Sequence, residues 1–237
     1  MLATFQHFGF SHIAAIMTII VVTVLLIQLC RKKPTSSATH IALTILTFLC
    51  FAIYPAHQLF HSLTGGVDKL DAALPLHLCD FAAIICGFAL INRRPLLCEL
   101  AYFWGLAGTV QGLLTPDINH DFPSPIYILF FLHHGVIVAT ALLLPLGLGW
   151  KPRPKASIRA FVWVLVYAVG AFILNSLLKT NFGFLMHKPE RASLLDIMGP
   201  WPWYVLVLTT IAGVLFYLLE LPFRKLHRDT SEQTKPN

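Results

Sequence analysis

Apolar residues come in runs of about 20, the length that crosses a bilayer as a helix. Seven such runs lie near residues 11–30, 41–62, 73–92, 96–115, 125–148, 157–178 and 203–223. The pattern predicts an all-α, polytopic membrane helical bundle with seven transmembrane helices. Only Asn92 to Pro95 separates the third run from the fourth, and there Arg93 and Arg94 followed by Pro95 break a helix at a membrane surface. Residues 1–223 are expected to form one transmembrane domain. Residues 224–237 are polar and charged and read as a short tail, too small for a second domain.

Composition sharpens this reading. Hydrophobic residues make up 57% of the chain and charged residues 12%, against roughly half and a quarter in a soluble domain. The net charge of +6 would suggest a nucleic-acid partner if it were clustered. Instead the basic residues punctuate the apolar runs, so no nucleic acid is expected. Counting Arg159 at the start of the sixth run, thirteen of the seventeen Lys and Arg fall on one set of run ends. The positive-inside rule then places the N-terminus outside and the C-terminus inside, in the plasma or inner membrane of a cell. Arg31, Lys32 and Lys33 follow the first run, the reverse of a cleavable signal peptide, so that run should be retained. The five cysteines have no C-x-x-C spacing, which indicates neither a disulfide framework nor a zinc ribbon.

The remaining polar residues are unevenly spread in depth. His12, His57, His61, His77, Cys79, Asp80, Gln111, Thr115, His133, His134 and Asn175 all fall toward the outer ends of their runs, while the inner halves are almost purely aliphatic. Ionisable groups inside a membrane span are rare and by default mark a functional site. Cys79 is the one thiol at the histidine level. It becomes a nucleophile when a base takes its proton, and an imidazole from another helix would supply that base. His57 and His61, four apart on one helix face, suit paired metal ligands or a polar stripe at the interface. His77 and Asp80, three apart, would pair with each other. Asn175 is an oxyanion donor or an interhelical hydrogen-bonding residue, and Gln111 is a second candidate donor. His133 and His134 point about 100° apart on a helix, so one of them is expected to face the interior.

Four stretches carry a resemblance: L-P-L-H-L-C-D (Leu74 to Asp80), W-G-L-A-G-T-V-Q-G-L-L-T-P-D (Trp104 to Asp117), F-P-S-P-I-Y-I-L-F-F-L-H-H-G (Phe122 to Gly135), and Asn181 to Tyr204 with its S-L-L-D and G-P-W-P-W-Y. They resemble the YwaF-like family of multi-pass bacterial membrane proteins. That family looks related to a eukaryotic transmembrane acyltransferase acting on ether phospholipids, and more distantly to androgen-induced membrane hydrolases. The resemblance implies a nucleophilic Cys or Thr and a His within the membrane. The Cys of P-L-H-L-C is Cys79 and the His before Gly is His134; His133 is an extra imidazole that the sequence does not separate from it.

The leading expectation is therefore an enzyme, an acyltransferase or lipid ester hydrolase. Cys79 would be the nucleophile, His134 the base, and His77, Asp80, Gln111, His133 and Asn175 would support the site or bind substrate. No cofactor is needed, and a membrane lipid is the expected partner. A second expectation is a zinc-dependent intramembrane hydrolase with His57, His61, His77, Asp80 and His134 holding the metal. A third is an amphiphile transporter or receptor.

Overall fold

The computed structural model describes residues 3–63, 74–189 and 193–233, with backbone alone for His61 and residues 225–233. The helices are α1 (Phe10–Lys32), α2 (Ser37–Leu63), α3 (Leu78–Asn92), α4 (Pro95–Trp104), α5 (Val110–Leu114), α6 (Pro125–Leu146), α7 (Ala156–Leu178) and α8 (Trp203–Gln233). A π-helical turn, Gly105–Thr109, joins α4 directly to α5. Short 3-10 turns at Phe182–Phe184 and Leu194–Met198 shape the connection from α7 to α8. There are no named strands among the described residues, as expected of an all-α membrane protein.

Five helical stretches are long and apolar enough to cross a membrane: Phe10–Lys32, Ser37–Phe60, Pro125–Leu146, Ala156–Leu178 and Trp203–Arg224. The third and fourth expected runs take a different form. Leu74 to His77 is not helical, so α3 keeps 15 residues, about 22 Å at 1.5 Å per residue and short of a ~30 Å hydrocarbon core. The reason is local. Pro75 disfavours the helical conformation of the residue before it, and Asp80, the third residue of α3, accepts the His77 backbone N–H on Oδ2 at 3.1 Å. A carboxylate in the first turn also complements the helix dipole. The fourth run is helical from Pro95 to Leu114 but is broken by the π-turn.

Burial identifies the central helix. Of the most apolar window in α6, 67% is buried, against 11% in α1 and in α7. α2, α1, α3 and α4 all pack on α6, α4 and α8 flank α7, and α3 and α4 form an antiparallel hairpin. Small residues permit the closest approach, as in membrane bundles generally. A Cβ on Gly105 would lie 2.9 Å from Ala141 and 3.2 Å from Ile137, so the π-turn rests directly on α6.

The two ends of the bundle differ. At the basic end, Glu99 on α4 is fully buried. It accepts bonds from Arg153 (Nε and Nη2, both 2.9 Å) and from Arg159 (Nε 3.0 Å, Nη2 2.7 Å). On α8, Glu220 accepts the Ala156 N–H at 3.1 Å and the Ser157 hydroxyl, and so caps α7. The opposite end holds His12, His77, His133 and His134.

Candidate active site

Three elements converge at the histidine end: the first turn of α3, the π-turn with α5, and the first half of α6. α3 contributes Cys79 and Asp80. Cys79 is partly buried and packs against the main core, with the Thr109 side chain as a neighbour. Thr109 Oγ1 is buried and makes no hydrogen bond among the described residues. Asp80 spends Oδ2 on the α3 cap and turns Oδ1 to His133 Nε2, 3.4 Å away. That is an ion-pair distance without hydrogen-bond geometry, and His133 Nε2 makes no hydrogen bond.

His134 occupies the adjacent position on α6. Its Nδ1 lies 2.9 Å from the Phe130 carbonyl, so an Nδ1–H donates there and Nε2 carries the lone pair. The ring stacks on Phe130 at 4.1 Å between centroids and meets His133 edge-on at 5.4 Å. Nε2 lies 3.0 Å from where a Gly112 Cβ would stand. Thr109 and Gly112 are one helical turn apart, so the thiol and the His134 lone pair abut the same short stretch of chain. No hydrogen bond joins Cys79 to either imidazole among the described residues.

The arrangement gathers Cys79, Asp80, Thr109, His133 and His134, and the other sequence candidates lie elsewhere. The His77 ring leaves α3 and sits between Phe182 and Phe184, with centroids 5.6 and 5.7 Å away. Its Nδ1 accepts the Gly183 N–H at 3.4 Å, so His77 and Asp80 meet through the backbone cap and not through the imidazole. Asn175, 1% exposed, ties the turn after α7: its Nδ2 donates to Phe182 O at 3.0 Å, while Oδ1 accepts from Thr180 Oγ1 at 2.9 Å and from Phe182 N at 2.7 Å. Those bonds turn its amide to the loop that follows α7. Gln111 is half-buried on α5, one residue before Gly112.

Among the described residues the zinc candidates stand apart. Among the described residues no three His, Cys, Asp or Glu side chains come together to hold a metal. His77 is turned to the Phe182 loop, His134 Nδ1 is bonded to Phe130 O, and Asp80 faces His133. His57 stands half-buried near the end of α2, and the His61 side chain lies outside the described residues.

Two contributors were not singled out from sequence. Thr109 and the π-turn lie inside the W-G-L-A-G-T-V-Q-G segment, whose three glycines in eight residues are the visible trace of a helix pressed against its neighbours. π-turns are rare and frequent at functional sites. Gly112 is the direct support of His134. Gly112→Ala is expected to push the ring by a few tenths of an ångström and to lower turnover about tenfold through misplacement of the base. Steady-state assay beside a thermal melt checks this, since the melt should barely move.

Such a bundle, with a thiol, two imidazoles and a carboxylate at one end of a polytopic helical core, defines a membrane protein with a polar intramembrane site. The chain belongs to the TMEM164 family, which it matches over residues 7–220. It is also similar to an uncharacterized protein of Treponema pallidum (strain Nichols), 30% identical over 151 residues, covering 64% of this chain and 62% of that protein. The chain thus spans less than two thirds of that relative's length. No solved structure matches it.

Proposed function

We propose that this protein is a lipid acyl-transfer enzyme working through Cys79 and His134 in the outer leaflet of a cell's plasma or inner membrane. The observation that carries the reading is the convergence of Cys79, Thr109 and the His134 lone pair on one turn of chain, backed by the Asp80–His133 contact. The similarity of the four motif stretches to the YwaF-like family and its acyltransferase and hydrolase relatives points the same way. We also propose seven crossings, the 15-residue α3 and the interrupted α4–α5 segment being the third and fourth. The N-terminus is then outside and the C-terminus inside, as the basic residues direct.

In this mechanism His134 Nε2 takes the proton of the Cys79 thiol, and the thiolate adds to the carbonyl carbon of a lipid ester. The tetrahedral adduct expels the lipid alcohol, which takes the proton from His134, leaving an acyl thioester on Sγ. A lysolipid hydroxyl or water then attacks the thioester, its proton passing to His134. Collapse releases the new ester or the free acid and returns the proton to sulfur. Thr109 positions the thiol, and Asp80 facing His133 supplies negative potential that favours the imidazolium formed on His134.

Trapping tests the proposal. Purified protein mixed with a phospholipid carrying a radiolabelled acyl chain, then quenched in acid, should hold hydroxylamine-labile label on the peptide containing Cys79. Absence of that adduct, together with unchanged turnover by Cys79→Ala, would overturn the mechanism.

A further inference from the structure

On the lipid-facing side of the bundle, a groove of about 400 Å³ runs between α3, α4 and α7. Along α7 its lining falls at Trp163, Val166, Tyr167, Gly170, Ala171 and Leu174, the spacing of one helix face. That stripe is about 16 Å long at 1.5 Å per residue, roughly half of a ~30 Å hydrocarbon core. Leu100, Trp104 and Ala171 are buried and form the floor, while Trp163, Val166 and Leu174 are exposed at the rim. A Cβ on Gly170 would meet nothing within 4 Å, so the concavity is open there.

The occupant follows from shape, polarity and charge. Inside the groove, Tyr167 Oη donates to Leu76 O at 2.9 Å and Trp104 Nε1 donates to Ala160 O at 3.2 Å, and the third aromatic, Trp163, stands at the exposed rim. The interior therefore suits an apolar ligand. Spread over the α7 stripe, the groove volume is small beside a helix about 10–12 Å across. A hydrocarbon chain fits and a partner helix does not. At the basic end Arg159 continues the same face of α7, four residues before Trp163. Arg153 beside it keeps Nη1 free of protein partners among the described residues, and its side chain is 49% exposed. These two guanidiniums share one carboxylate, Glu99, and exposed Lys151, Lys155 and Arg94 flank them. Basic pockets between membrane helices select anionic lipid headgroups.

We infer that the groove between α3, α4 and α7 is a binding site for one acyl chain of an anionic phospholipid whose phosphate is held at the Arg153–Arg159 mouth. The site is independent of the thiol chemistry proposed above. Cys79 lies roughly 200° around α3 from the groove-lining Phe81, and the headgroup mouth at Arg153 and Arg159 sits at the end of the bundle opposite the thiol.

The test uses the full chain in detergent, with retained lipid counted by native mass spectrometry for dioleoyl phosphatidylglycerol and dioleoyl phosphatidylcholine. The wild type should retain one phosphatidylglycerol in preference to phosphatidylcholine. Gly170→Leu, which projects into open groove, should lower retention of both lipids about tenfold. Arg153→Gln should keep the chain bound but cut the headgroup preference roughly fivefold. If Gly170→Leu is not recovered folded, Val166→Trp narrows the same groove and carries the same expectation. Equal retention of the two lipids by the wild type, unaltered retention in the groove variant, or an unaltered preference in Arg153→Gln would overturn the inference.

Discussion

Cys79→Ala is expected to lower lipid turnover by at least about 10³-fold and to abolish the acyl adduct, because loss of a nucleophile or its base removes a whole catalytic unit. His134→Gln should fall in the same range, with the double variant little worse than either single one. His133→Gln and Asp80→Asn act through His134 and should cost less, about 10²-fold at most. The contrast rests on which nitrogen is available. His134 offers Nε2 beside the turn that holds Thr109, whereas His133 Nε2 points at Asp80. If His133→Gln were the deeper lesion and His134→Gln mild, the base would be reassigned to His133. Each variant is to be compared by turnover at saturating lipid, with a thermal melt to establish that the bundle is intact.

Much of the site was legible because the bilayer makes polar residues conspicuous. Cys79, Asp80, His133 and His134 stand out at one depth within apolar runs, and depth follows from residue count at a fixed rise. What depth does not contain is direction. His77 belongs by sequence to the same run as Cys79, yet the helix starts after it and its ring turns to Phe182. Asn175 reads as a candidate oxyanion donor, but its amide bonds to the turn immediately after its own helix.

The same distinction explains the span count. Five runs appear as uninterrupted helices because hydropathy and length decide them. The stretch at 73–92 is apolar enough but begins with Leu-Pro-Leu-His, and local backbone chemistry at Pro75 and Asp80 sets where α3 starts. A π-turn leaves no periodic mark in hydropathy, since every residue around Gly105 to Thr109 is apolar or small whichever way the turn winds. Its effect is nevertheless central: one extra residue in the turn re-aims the following helix, and that helix carries Gly112 to His134.

Glu99→Ala is expected to destabilise the bundle by about 2–3 kcal/mol. Removing one partner of a buried ion pair typically costs roughly 3–5 kcal/mol, and the lower figure applies because both guanidiniums reach solvent once released. Glu99 accepts five hydrogen bonds, from the Arg153 backbone N–H and from two N–H groups of each arginine side chain. It thereby pins the loop before α7 to α4. These bonds also raise the Arg153 pKa, so the guanidinium stays charged at any workable pH. Glu99→Gln should be milder, since the amide oxygen still accepts two or three of the same bonds. The melting temperature of the purified protein reports the loss. The Cys79 adduct per folded molecule should stay constant, because the cluster lies at the start of α4 while the thiol, in the first turn of α3, lies at the other end of the α3–α4 hairpin. A variant that melted normally but lost the adduct would instead mean that the basic end is coupled to the catalytic layer through α4 and its π-turn.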